Sequence, residues 1–382
     1  MSTTVEEVEK TKKGEDKKSE LLLDSLEIKG YRCFEHLTID KLGQVNLIVG
    51  KNNVGKTALL ETLWIYANHD EPDILHKIIF DRNEITNEKN MSHESLREYN
   101  FALRNIFYNR PTIPNRDHKR KESLYFIISK KGHRWEYLED KVLTSDAYEL
   151  NLDTNQFDEF IFDSAGSEIT FVRYFYSSQF GMPYIEYIPR ITRDINNLFI
   201  NAVGLRNEIL VEFWDKITLT PLEDKVIEAL HILLPKLIRI EFIGYPNGSK
   251  IRVPIVRVRG EKERIPLKSF GEGMTRLLGL SLAFVQCQNG MLFIDEIESG
   301  LHYSVLPDVW KLIFKTAKEL NVQVFATTHS YDCIEAFAQA AIDDEKSEGN
   351  LIRLAQKDDQ IKAFTFDEKQ LETITKERIE VR

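Results

Sequence analysis

The sequence predicts an α/β fold, a mixed sheet flanked by helices, from three apolar strands and what stands at the end of each. Val45-Asn46-Leu47-Ile48-Val49 is a short apolar, β-branched run that reads as a buried strand. Gly50-Lys51-Asn52-Asn53-Val54-Gly55-Lys56-Thr57 follows it, and then helix-favouring sequence from Thr57 to about Ala67. Met291-Leu292-Phe293-Ile294 is a second apolar strand and runs into Asp295-Glu296. Val322 to Ser330 is a third, with His329 near its end. In the helix after the glycine loop, Leu59, Leu60, Leu63, Trp64 and Ala67 share one side at i, i+3, i+4 spacing, an apolar face to lay on a sheet.

Each residue type in the loop has a physical task. The pattern is G-x-x-x-x-G-K-[ST], a P-loop, in which Gly50 and Gly55 let the backbone curl until consecutive N–H groups and the helix N-terminus face phosphates. Lys56 places a point charge on the β/γ oxygens, and the Thr57 hydroxyl can ligate Mg²⁺. Gly50, Asn52, Asn53, Gly55, Lys56 and Thr57 are therefore the candidate nucleotide contacts. At the second strand Asp295 can hold the metal, usually through water, while Glu296 can orient or deprotonate the attacking water. His329 can hydrogen-bond the γ-phosphate or that water, which makes Lys56, Glu296 and His329 the candidate catalytic set, and Thr57 and Asp295 the candidate metal ligands.

Composition bounds the class. A chain of 382 residues with 42% hydrophobic and 29% charged content is that of a soluble globular protein, long enough for two or three domains. A net charge of −10 gives no broad basic surface, so any nucleic-acid contact would have to be local or supplied by a partner. The three cysteines, Cys33, Cys287 and Cys333, are widely spaced and read as buried thiols in a reducing cytoplasm rather than a disulfide or zinc framework. No run is long enough to cross a bilayer, and the charged N-terminus lacks a signal peptide's apolar core.

Residues 1–20 alternate Lys and Glu and are expected to form a disordered charged tail. Leu26–Phe34 and Leu37–Asp40 read as two edge strands turning at Gly30; Arg32 and Phe34 sit where a nucleotide base or phosphate could be met, or they are a surface arginine and a core phenylalanine. Residues 68–189 read as remaining strands of the first lobe plus an insertion. Leu124–Ile128 and Trp135–Leu138 would form a hairpin there, Arg116 to Lys121 a basic loop, and Tyr184–Pro189 a strand returning to the core. Residues 190–235 read as a compact helical lobe, with Thr220 at an N-cap, Pro221 at N1, Glu223 reaching back and Pro235 as the stop. In the stretch 236–382, Ser269-Phe270-Gly271-Glu272-Gly273 precedes an apolar helix from Leu277 to Val285, and small residues at a helix start form a second phosphate cradle. Strands near Leu351–Leu354 and Ile361–Phe366 read as a closing hairpin.

The succession Gly50–Thr57, Ser269–Gly273, Asp295-Glu296, Ser299-Gly300-Leu301-His302 and His329 resembles the ABC-type ATPases of the RecF, SMC and OLD branch. More closely it is similar to the stand-alone ATPases of bacterial anti-phage defence systems, of the PARIS and abortive-infection kind. The resemblance implies an ABC-ATPase-like P-loop NTPase head, formed by 21–67 and 236–382 and split by an insertion, that uses ATP and Mg²⁺. It further implies a homodimer or higher oligomer, with ATP held between Lys56 of one subunit and Ser269, Gly271 and Gly273 of another, and Ser299–His302 crossing the boundary. ATP-driven dimerisation would then control a separate effector, a nuclease or toxin, away from any membrane. Ile297 stands where the OLD branch commonly has proline, Gln179 is the one weak candidate for a Mg²⁺-sensing glutamine, and about fifty residues after His329 are too few for the nuclease domain of an OLD protein. A DNA-repair ATPase of RecF type and a non-hydrolysing nucleotide-sensing scaffold are the alternative functions.

Overall fold

Strands that are apolar on both faces must be covered on both, and here that happens around one six-stranded sheet. The computed structural model describes residues 21–68, 74–85, 102, 105, 106, 108, 109, 124–131, 195–244, 251–343, 349–367 and 370–373, with the backbone of short strands between 136 and 187. The first half of the chain contributes β1 (Leu26–Tyr31), β2 (Phe34–Ile39), β3 (Val45–Val49), helices α1 (Lys56–Ala67) and α2 (Ile74–Asp81), then β4 (Leu124–Ser129), β5 (Glu136–Leu138), β6 (Lys141–Leu143), β7 (Ala147–Leu150), β8 (Phe160–Phe162), β9 (Thr170–Tyr176) and β10 (Pro183–Tyr187). The second half contributes β11 (Asn197–Ile200), α3 (Asn207–Ile217), α4 (Pro221–Leu230), β12 (Leu237–Gly244), β13 (Arg252–Val258), β14 (Ile265–Pro266), α5 (Glu272–Gln286), β15 (Met291–Ile294), α6 (Leu306–Glu319), β16 (Gln323–Thr327), α7 (Tyr331–Asp343), β17 (Gly349–Lys357) and β18 (Gln360–Phe366).

The central sheet has the order β11-β15-β16-β3-β17-β18, with the first five strands parallel and β18 antiparallel. Register aligns Ile200, Ile294, Ala326, Leu47 and Leu351 in one row across the parallel strands. All five pack into the larger core with α3 to α7. One residue back, Phe199, Phe293 and Phe325 point to the opposite face, into the core shared by α1, α2 and the β1–β2 hairpin. That row continues into buried Asn46, whose side chain accepts from the Gly43 N–H and donates to the carbonyls of Gly43 and Val324, so its polarity costs little.

Several expectations need correction. Residues 190–235 are not wholly helical: β11 lies there and is an edge of the central sheet. The strand near 184 instead pairs with β9 in a separate three-stranded sheet. β4 does not form a hairpin with 135–138; it pairs with β1 and β7, while β5 pairs with β6. β1 is consequently interior to its sheet rather than an edge. α1 is buried on nearly every side, because β15 and β16 lie beneath it and β4 and α2 beside it, so a one-sided apolar face understated its packing. The cap at Thr220 forms as read, accepting from Leu222 N–H, but Glu223 reaches the Leu219 N–H, and the helix ends at Leu230. The tail at 1–20, the basic loop 116–121 and Gln179 lie outside the described residues.

The closing hairpin forms as read, and its first strand, β17, has a second partner. Besides turning back into β18, it pairs in parallel with β3 and completes the sheet under the glycine loop. Leu351 is fully buried there. Leu351→Ala should lower the unfolding free energy in urea by about 2–5 kcal/mol, the range for emptying a leucine site in a core. A loss well under ~1 kcal/mol would mean that β17 is peripheral.

Candidate active site

Parallel strands deliver their C-terminal residues to one edge, and the crevice outside that edge is where α/β sheets bind ligands. Here β3 delivers the glycine loop, β15 delivers Asp295 and Glu296, and β16 delivers Thr327 and the segment to His329. Gly50 has φ 146° and Gly55 φ 87°. A Cβ on Gly50 would lie 2.5 Å from the Leu354 carbonyl oxygen, and one on Gly55 2.5 Å from Cys33 Sγ, so a side chain is excluded at both. α1 starts directly after this loop with no side-chain cap, which leaves its first N–H groups for an anion.

Lys56 is buried, and its Nζ donates to the carbonyls of Gly50 and Lys51 at 2.8 and 2.9 Å. Burial lowers its pKa, while the carboxylates of Asp295, Glu296 and Glu298 act in the opposite direction. Asp295 accepts from Thr327 Oγ1 at 2.6 Å and from Thr57 Oγ1 at 3.2 Å. A hydroxyl and a carboxylate thus converge from the start of α1 and the end of β15, the hard oxygen pair that suits Mg²⁺. Glu296 donates its N–H to Thr327 Oγ1 at 2.9 Å, and its half-exposed carboxylate stands 3.9 Å from His329 Nε2, beyond direct hydrogen-bond reach. The cleft beside the loop, about 570 Å³, is lined by Asn52, Asn53, Gly55, Lys56, Thr57 and His329, with Arg32 on its wall.

Arg32 and Phe34 resolve differently. Phe34 is a core residue beneath Gly55, with no ring face for a base. Arg32 reaches the cleft wall, but its guanidinium is tied to Glu61 at 2.8 Å and Glu84 at 2.9 Å, and Glu61 is shared with Tyr31 and Arg82. Burial works against the Arg32 charge; Tyr31, Glu61 and Glu84 outweigh it and hold its pKa above the usual value.

Residues 45–332 match the family described as "AAA domain, putative AbiEii toxin, Type IV TA system". The chain belongs to this family. Over 375 residues it is 24% identical to an "ATP/GTP phosphatase" of Helicobacter pylori, covering 89% of this chain and 94% of that protein. An uncharacterised protein of Methanocaldococcus jannaschii is 39% identical over 82 residues, 22% of this chain and 71% of the relative. Among solved structures, the SMC head domain from Thermotoga maritima is 14% identical with a TM-score of 0.42, covering 90% of this chain and 98% of that one. An SMC head bound to the C-winged helix domain of ScpA is 12% identical with a TM-score of 0.48, covering 90% and 97%. The AAA-family chain accordingly has an α/β P-loop fold, and among the described residues no helix is long and apolar enough to cross a membrane.

In this AAA-family chain no residue of the Ser269–Gly273 turn lines the P-loop cleft, and its Glu272 lines a separate groove. Ser269 and Gly271 are exposed at the start of α5, and Gly271 has φ 97°. The groove there, about 810 Å³, is lined by Val203, Lys268, Glu272, Arg276, Ser299 and Gly300 among others, and shares no lining residue with the P-loop cleft. The Ser299–His302 loop packs on the turn: a Cβ on Gly273 would lie 2.9 Å from the Gly300 carbonyl oxygen. The predicted residues therefore form two groups within one chain, the P-loop with Asp295, Glu296 and His329, and the serine–glycine turn with Ser299–His302. Ile297, noted for replacing a proline, is a fully buried core residue.

Three residues escaped the sequence reading. Thr327 bridges Asp295 and the Glu296 amide, Glu298 Oε1 accepts the N–H groups of His329 and Ser330 at 2.9 and 3.1 Å, and Arg276 bonds the carbonyls of Asp295 and Glu296. The repeat of acids in Asp295-Glu296-Ile297-Glu298 was a legible signal for Glu298; Thr327 and Arg276 needed the strand register. Glu298→Gln weakens two charge-assisted bonds worth about 1.5–3 kcal/mol each. Amide hydrogen exchange at His329 and Ser330 should then accelerate at least tenfold, roughly the lower end of that range. Unchanged exchange would show that the loop is held by something else.

Cys33 offers a probe of the same cleft. Burial pushes its thiol up to about 11, whereas Cys287 and Cys333 are fully buried. Alkylation of Cys33 should be slow near neutral pH and rise about tenfold per pH unit until the thiolate dominates. A rate independent of pH would contradict the raised pKa.

Proposed function

We propose that the protein is a Mg²⁺-dependent ATP hydrolase in which two copies meet head to tail, each completing the other's nucleotide site. The observation that carries this reading is the meeting of Thr57 and Asp295 at 3.2 Å, beside Lys56 and Glu296, at the C-terminal edge of the parallel strands. In this reading the loop N–H groups and Lys56 bind the β/γ-phosphates, and Thr57 and Asp295 hold the metal. Glu296 takes the proton from the attacking water, and His329 donates to the γ-phosphate. The residues fit both groups: the uncapped start of α1 leaves its first N–H groups for phosphate oxygens, and two hard oxygen donors face one another there. Bound Mg²⁺ would neutralise charge on the phosphate oxygens as it develops.

The need for a second copy is supported by the separation of the serine–glycine turn from the P-loop: Ser269 and Gly271 are exposed, and no residue of the turn lines the P-loop cleft. Association driven by ATP would hold or release a separate effector, a nuclease or toxin, and the family's description as a putative toxin of a toxin–antitoxin system supports a role in defence against phage. The free cysteines agree with a cytoplasmic setting.

Lys56→Ala should lose ATP binding and turnover together. Glu296→Gln should lose about 10²–10⁴-fold in turnover, the usual contribution of a general base, yet still bind ATP. Sized with and without ATP, Glu296→Gln should accumulate as a dimer only with ATP. Two variants that hydrolyse ATP as fast as the parent would overturn the site, and a monomer in all conditions would overturn the shared-site geometry. Bound ATP should also shield Cys33, which lines the cleft, from alkylation.

A further inference from the structure

Arg276 stands one turn into α5, just past the serine–glycine turn, and is 7% exposed. Buried arginines ordinarily pair with carboxylates. This one instead spends its guanidinium on backbone: Nη1 donates to the Asn201 carbonyl at 2.8 Å, and Nη2 to those of Asp295 and Glu296, both at 3.1 Å. These carbonyls immediately follow the adjacent parallel strands β11 and β15. Burial lowers the Arg276 pKa, and the nearby carboxylates of Asp295, Glu298 and Glu296 oppose that shift.

Glu296 has φ 48°, a left-handed backbone that a long side chain adopts at a cost of about 1–3 kcal/mol and that persists only where its surroundings hold it. It is held from two directions. Its N–H is fixed by Thr327, which also holds Asp295, and its carbonyl is fixed by Arg276. Arg276 is carried on α5, and Gly273 of the same helix packs closely against the Gly300 carbonyl of the 299–302 loop.

We propose that Arg276 is a positioning residue that couples the Ser269–Gly273 turn to the backbone of Glu296. When the turn closes on a triphosphate held by another copy, displacement of α5 reaches the Glu296 peptide through the guanidinium and sets the angle of the carboxylate that receives the water's proton. This rests on Glu296 acting as the general base, as proposed above. A residue that merely stapled β11 to β15 would lower stability without acting selectively on turnover.

The test uses the full chain and separates kcat from ATP affinity. Arg276→Ala should lower kcat about ten- to a hundredfold, as loss of an outer-shell partner does, with KM and ATP affinity little changed. Guanidinium ion at millimolar concentration, entering by the groove that Arg276 lines, should restore part of the lost kcat. Arg276→Lys keeps the charge but cannot span three carbonyls, so its kcat should fall between the parent and Arg276→Ala; it also serves if the alanine variant does not fold. In a Glu296→Gln background Arg276→Ala should cost no further turnover, because the two act on one step. An unchanged kcat, a raised KM at constant kcat, or a kcat loss that guanidinium does not relieve would each overturn the coupling. If Glu296→Gln turns over ATP like the parent, the general-base assignment falls first; if Glu296→Gln is inactive and Arg276→Ala is unimpaired, only the coupling falls.

Discussion

The contact between Thr57 and Asp295 depends on a register, and most of the molecule serves that register. The two residues are 238 positions apart, one at the start of α1 and the other just past β15. They meet because β16 lies between β15 and β3 and pairs with both in parallel, so that the strand ends stand level. A slip by one residue would turn every side chain on the moved strand to the opposite face. Such a slip is opposed by the rows of Ile294, Ala326 and Leu47 on one face and Phe293 and Phe325 on the other, each buried in its own core.

The polar atoms at this edge form a connected set in which few groups act on a single partner. Thr327 touches both acids of the pair, Glu298 secures the backbone at His329, and Arg276 gathers the ends of two strands. In a low-dielectric edge a network of this kind rigidifies when it is satisfied and is costly when it is not. Strain in the Glu296 backbone is tolerated within it because fixed donors and acceptors surround that peptide. The same network stands between two cavities, the P-loop cleft on one side and the groove lined by Glu272, Arg276 and Ser299 on the other.

Local sequence carried far where a residue type has only one physical use. The glycine loop, the acid pair after an apolar strand, the threonine cap with Pro221 at N1, and the strands at 291–294 and 323–327 were readable because period, length and punctuation agreed. It carried less far where a short strand sits among helical segments. Asn197-Leu198-Phe199-Ile200 has four residues and no alternation, and its pairing with β15 is a long-range contact that periodicity does not register. β17 was legible only in part for a related reason: its turn into β18 is local and visible, while its parallel partnership with β3 spans about three hundred residues. Arg276, inside an apolar helical run, carries no local mark of the carbonyls it reaches on other elements.

The sequence alone determined the kind of site this is, because a lysine, a hydroxyl and carboxylates in that order behind glycines and apolar strands suit phosphate and a divalent cation whatever surrounds them. Tertiary structure alone decided which atoms meet, that Phe34 underlies the loop instead of stacking on a ligand, and that Arg276 and Thr327 hold the Glu296 peptide. Backbone carbonyls and amides are the same at every position, so their partners are set by where strands and helices come to rest and leave no trace in the order of side chains.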